Sequence, residues 1–125
     1  MNITLWIIAG LLAALFLASG AAKLAQSKEK LVASSMGAAL VGFSPGAIKG
    51  VGVLEVLAAA GLVLPAALDI TPVLVPLAAV GVVLLMIGAI ITHSRRHEPL
   101  GVALNLTYLA MAAFVAWGRL GPEPF

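Results

Sequence analysis

Four separate runs of this chain are each long and apolar enough to cross a bilayer, and they leave little of it over. They fall at about residues 3–25, 45–65, 71–93 and 100–118. About twenty consecutive apolar residues in a helix span a hydrocarbon core of roughly 30 Å. Soluble domains carry roughly a quarter of their residues charged, whereas here 10% are charged and 62% hydrophobic. The prediction is an all-α fold: a four-helix transmembrane bundle forming one domain over residues 1–125, with the lipid bilayer as its first partner.

The small amount of charge narrows the options further. A formal charge of +2 clustered at the ends of apolar runs reads as a topology signal, and no nucleic-acid partner is expected. Lys23, Lys28, Lys30, Lys49, Arg95 and Arg96 fall on one side of the bundle and only Arg119 on the other. The positive-inside rule therefore predicts both termini outside. There is no cysteine, which removes disulfides, thiolate metal sites, iron–sulfur clusters and dithiol electron relays.

Between the first two spans, Leu31, Val32, Met36, Ala39, Leu40 and Phe43 recur close to a helical period. This predicts a short amphipathic helix lying on the membrane surface, with Ser27 capping its start. Ser44 and Pro45 read as N-cap and first residue of the second span, which is expected to stop near Pro65. The third span should start at Asp69 or at Thr71–Pro72 and bend at Pro76.

Within these spans one residue is out of place. Glu55 is a lone carboxylate in an apolar helix, and an ionised group in hydrocarbon is costly enough that it must face protein, a cation or water. Its helical neighbours Val51, Gly52, Ala58, Ala59 and Leu62 are mostly small, so Glu55 is predicted to point into a close helix–helix seam. Measured from the basic helix ends, Ser19, Lys23, Thr92, His93, Asn105 and Tyr108 lie at similar depth. They are the candidate ligand-binding residues, with Glu55 the candidate catalytic group. Lys23 reads most simply as an interfacial snorkel; the sharper alternative turns it inward toward Glu55.

Two readings of the constellation stand. In the structural one, Glu55 pairs with Lys23 or accepts bonds from Asn105, Tyr108 and Ser19, fixing which helices are neighbours. In the functional one, the same groups line a pocket and Glu55 binds or moves a proton. His93 and His97 are four apart, but Pro99 and the flanking arginines predict a turn, so no metal site is expected. The Gly50, Leu54, Ala58, Gly61 side of the second span could also support a homodimer.

Several stretches together resemble the DoxX-like family of small four-helix membrane proteins. They are Ala18-Ser-Gly-Ala-Ala-Lys-Leu24, Gly50-Val-Gly-Val-Leu-Glu-Val-Leu-Ala-Ala-Ala-Gly-Leu-Val-Leu-Pro65, Pro76-Leu-Ala-Ala79, Gly88-Ala-Ile-Ile-Thr-His-Ser-Arg-Arg96, and the segment from Asn105 to Arg119. The resemblance implies an accessory subunit of a membrane redox-associated complex in a bacterial cytoplasmic membrane, with membrane oxidoreductase subunits as partners and a site for a quinone or similar lipophile. It supplies no established catalytic set. The alternatives are a small membrane enzyme acting through Glu55 on a lipophilic substrate, by proton transfer or isomerisation, and a membrane-protein assembly factor.

Overall fold

In a computed structural model, which describes residues 1–33 and 42–125, the apolar runs become four long helices. They are α1 (Asn2–Ala25), α3 (Pro45–Ala67), α4 (Leu74–Arg95) and α5 (Pro99–Leu120), with the short α2 (Lys28–Ala33) after α1. Each of the four has the length and hydropathy to cross a membrane. Around the bundle the order is α1, α3, α4, α5, and α5 closes the ring back onto α1. The tightest neighbours are α1 with α3 and α4 with α5, while α1 with α5 is the sparsest contact of the ring.

The core is a column of interlocking aliphatic side chains, with Leu5 and Leu12 from α1, Leu62 from α3, Val75 and Val82 from α4 and Val115 from α5 all fully buried. Phe16 caps this column from below. The outward faces are aliphatic as well, for example Ile3, Leu57, Leu84 and Leu106, each more than half exposed. A helix that is apolar all round has no side for water, so these faces suit lipid.

Helix ends follow from short-range chemistry. Ser44 Oγ accepts from the Ala47 amide at 3.1 Å, and Pro45 fills the first position, where its missing N–H is no loss. Ser27 caps α2 by accepting from the Lys30 amide at 3.3 Å. Beyond Ala33 the expected surface helix cannot be followed, because Met36, Ala39 and Leu40 lie outside the described residues.

The far end of α3 differs from expectation, since the helix runs through Pro65 to Ala67. It ends where Asp69 takes a left-handed φ of 53°. The Ile70 amide then donates to the Pro65 carbonyl at 2.8 Å and the Asp69 amide to Ala66 at 3.3 Å, a two-bond closure that satisfies the last carbonyls. Nor does α4 begin at Asp69 or Thr71: it begins at Leu74. Pro76 therefore sits in the first turn, where the amide it lacks has no intrahelical partner to lose.

The α4–α5 connection repeats the closure, with His97 left-handed at φ 56° and the Glu98 amide donating to the His93 carbonyl at 3.0 Å. That closure turns the chain back on itself within three residues. His97 is carried away from the α4 face that bears His93, so the two histidines do not share a helix side.

Candidate functional site

The bundle has a basic end, bearing the α1–α3 and α4–α5 connections, and a terminal end where both chain ends lie. At the basic end α1 and α3 approach backbone to backbone. A Cβ at Gly20 would sit 2.7 Å from the Gly52 carbonyl oxygen and 2.8 Å from a Val56 methyl. Only small residues permit this distance. The buried face of α3 consists of Ile48, Gly52, Glu55, Ala58, Ala59 and Leu62, which is the face predicted for the seam.

This approach brings Lys23 to Glu55. Lys23 Nζ lies 2.8 Å from Glu55 Oε1, with side-chain exposures of 15% and 9%, and it also donates to Ser19 Oγ at 2.7 Å. Lys23 is thus turned inward, and the interfacial snorkel expected for it does not occur. The reason is tertiary: with no side chain at Gly20 or Gly52, the Lys23 stem lies along α3 and its ammonium reaches the carboxylate. Lys49 serves the same seam in a way its sequence did not reveal. Its Nζ donates to the Leu24 carbonyl at 2.9 Å, placing a cation at the end of α1 where orphan carbonyls point.

The remaining candidates do not join Glu55. Thr92 Oγ1 bonds back to the Gly88 carbonyl at 3.0 Å, which occupies its hydroxyl. His93 Nδ1 lies 3.0 Å from Glu98 Oε1, and Arg96 Nε donates to the same oxygen at 3.3 Å. The hydrogen bond with His93, aided by Arg96, holds the Glu98 carboxyl below its ordinary value of 4.5 against a smaller opposing effect of desolvation. A lowered carboxylate stabilises the fold in full above its ordinary value, and the gain is lost as pH falls through the folded value. Melting followed against pH should therefore show an acid-side loss that shrinks in Glu98→Gln. Because Glu98 is partly exposed, the effect is expected to be small.

His93 owes its position to Gly101. A Cβ at residue 101 would overlap the imidazole ring, so the ring can lie flat on α5 only because glycine is there. Gly101→Ala should cost about 1–3 kcal/mol, as overpacking does. Most of that loss should vanish in a His93→Ala background, a non-additivity readable by thermal unfolding in nanodiscs.

Asn105 and Tyr108 stand apart. Asn105 is buried to 9% exposure, and its amide makes no hydrogen bond among the described residues. Tyr108 packs edge-on against Phe16 with ring centroids 6.5 Å apart. Of the residues on the predicted dimer side, Ala58 and Gly61 are used within the chain: Gly61 meets Ala78 of α4, while Gly50 and Leu54 face outward.

At the terminal end Arg119, expected only as a tail charge, is 5% exposed. Its guanidinium lies 3.9 Å over the Phe125 ring and donates to the Glu123 carbonyl at 3.0 Å. Phe125 in turn meets Trp6 at 5.8 Å. The final five residues thus fold over the bundle end. In the sequence Arg119 stands two residues after Trp117 and six before Phe125, a spacing that does not by itself signal the contact.

The buried ion pair, the small-residue seam and the histidine turn occupy stretches that a family comparison also spans. The DoxX-like family model matches residues 7–115. Neither a curated protein nor a solved structure matches the chain. The match begins in the first turns of α1 and ends near the close of α5, taking in all four spanning helices, and the chain is a membrane protein of the DoxX-like family.

Proposed function

We propose that the protein is an accessory, non-catalytic subunit of a membrane redox-associated assembly, and that it holds a lipophilic molecule of the quinone class. The observation that carries this reading is the closed Lys23–Glu55 pair. At 2.8 Å the carboxylate is already neutralised by a cation of the same chain, and Ser19 Oγ accepts a further hydrogen bond from that ammonium. A group so engaged is a poor general base, because moving a proton would first have to break a partly buried ion pair. This weighs against the small-enzyme alternative.

With no cysteine in the chain, electrons would pass through a partner or through the bound lipophile. The proposed orientation puts the basic end in the cytoplasm, following the excess of Lys and Arg there. The proposed location is a bacterial cytoplasmic membrane. The partners are membrane oxidoreductase subunits, and a homodimer through the outward side of α3 is the alternative association.

Native mass spectrometry from nanodiscs formed without harsh detergent tests the proposal. A discrete bound small molecule, or a co-purifying oxidoreductase subunit, is the expected result. A chain that carries only bulk phospholipid and turns over a lipophilic substrate alone would overturn it.

A further inference from the structure

Asn105 is a buried amide without a hydrogen-bonding partner among the described residues, and such groups are rare because leaving one unmade is costly. Its polar atoms are not sealed in, since no fully buried side-chain nitrogen or oxygen among the described residues lacks a partner. They therefore reach accessible space.

The register of the helices locates that space. On the antiparallel pair α1 and α5, Leu5 lies against Gly118 and Phe16 against Tyr108. Counting three residues onward from Phe16 and three back from Tyr108 sets Ser19 level with Asn105. At this level each of the two helices packs closely on its other neighbour. The Gly20–Gly52 approach pulls α1 onto α3, and the His93–Gly101 contact pulls α5 onto α4. The α1–α5 contact is the sparsest of the ring, and one turn nearer the bundle centre the Phe16–Tyr108 ring pair closes it.

We infer that the α1–α5 seam beside Asn105 opens to form the headgroup site for the lipophile of the proposed function, and the inference rests on that reading. The ligand class is a neutral amphiphile with a carbonyl oxygen. Asn105 Nδ2 donates to the carbonyl, the Tyr108 and Ser19 hydroxyls are the neighbouring donors, and the apolar tail leaves between α1 and α5 into lipid. Neutrality follows from the charges present, because Lys23 and Glu55 cancel one another at this level and leave no net charge to recognise an ion.

The test uses full-length protein in phosphatidylethanolamine–phosphatidylglycerol nanodiscs and a decyl-substituted benzoquinone carrying a 13C-labelled carbonyl. Binding is read by titration and the carbonyl stretch by infrared difference. A hydrogen bond from Asn105 lowers the stretching frequency. Asn105→Leu should weaken binding on the order of tenfold, as loss of one hydrogen bond of about 1.4 kcal/mol does, and should return the band toward its free position. If the leucine variant does not fold, Asn105→Ala should give the same two changes. Gly81→Leu, which fills the separate lipid-facing groove between Leu54, Leu57 and Leu84, should change neither. Unchanged affinity and band in the folded Asn105 variant would overturn this site while leaving the accessory reading intact. Failure of the wild-type protein to retain the quinone would overturn the lipophile reading and this site with it.

Discussion

Lys23→Met is expected to destabilise the bundle more than Glu55→Gln does, although the two substitutions remove opposite halves of one ion pair. Breaking a buried pair from one side costs about 3–5 kcal/mol, mostly because the other charge is left without a partner. The two abandoned charges are not equally trapped. Lys23 stands two residues from the end of α1 on a long stem, so in Glu55→Gln it can swing to the interface and recover water. Glu55 is ten residues into α3 on a short stem, and among the described residues no side chain other than Lys23 bonds its carboxylate. The full cost should therefore appear in Lys23→Met. Glu55→Gln should lose about 1–3 kcal/mol, because glutamine still offers the ammonium an acceptor oxygen. Thermal unfolding in nanodiscs of fixed composition orders the two, and equal losses would mean that Lys23 has no route to the interface.

Gly20→Ala should force α1 and α3 apart. The added carbon would meet the Gly52 carbonyl oxygen at 2.7 Å and the Val56 amide nitrogen at 3.1 Å. These are backbone atoms, so no rotamer change relieves the overlap and the helices must separate. We expect about 1–3 kcal/mol of destabilisation, the usual range for an overpacked interior. The separation also stretches the Lys23–Glu55 bond, so the variant should lose part of the ion-pair contribution in addition. Gly10→Ala is the control, because a carbon there has nothing within 4 Å. It should be close to neutral, since a helix gains from replacing glycine by alanine.

Much of the fold was legible because lipid imposes a simple rule on sequence. Spans must be long and apolar, so α1, α3, α4 and α5 could be placed to within about three residues at their ends. The seam face of α3 was legible for a second reason, since a carboxylate must be hidden and only small neighbours allow close approach. What stayed hidden depended on pairs of helices rather than on one. Lys23 turns inward because two glycines on different helices coincide in level. Asn105 and Tyr108 share a depth with Glu55 but do not bond to it, because α5 leans on α4 through Gly101 and α1 leans on α3 through Gly20. Depth along an axis can be counted from sequence; direction around it depends on the neighbour. The ends of α3 and α4 were misjudged for a local reason. Each closes on a non-glycine residue, Asp69 or His97, in the left-handed region, where glycine is the usual signal.

Glu55 is a partner to Lys23 rather than a free acid or base, and the double variant Lys23→Met/Glu55→Leu is the sharpest check of that pairing. Replacing a whole buried ion pair by apolar groups is often neutral or stabilising, even where removing either half is costly. The double variant should melt near the wild-type temperature and still retain the proposed lipophile. Additive losses from the two substitutions, or a well-folded double variant that has lost a catalytic activity the wild type possesses, would contradict it.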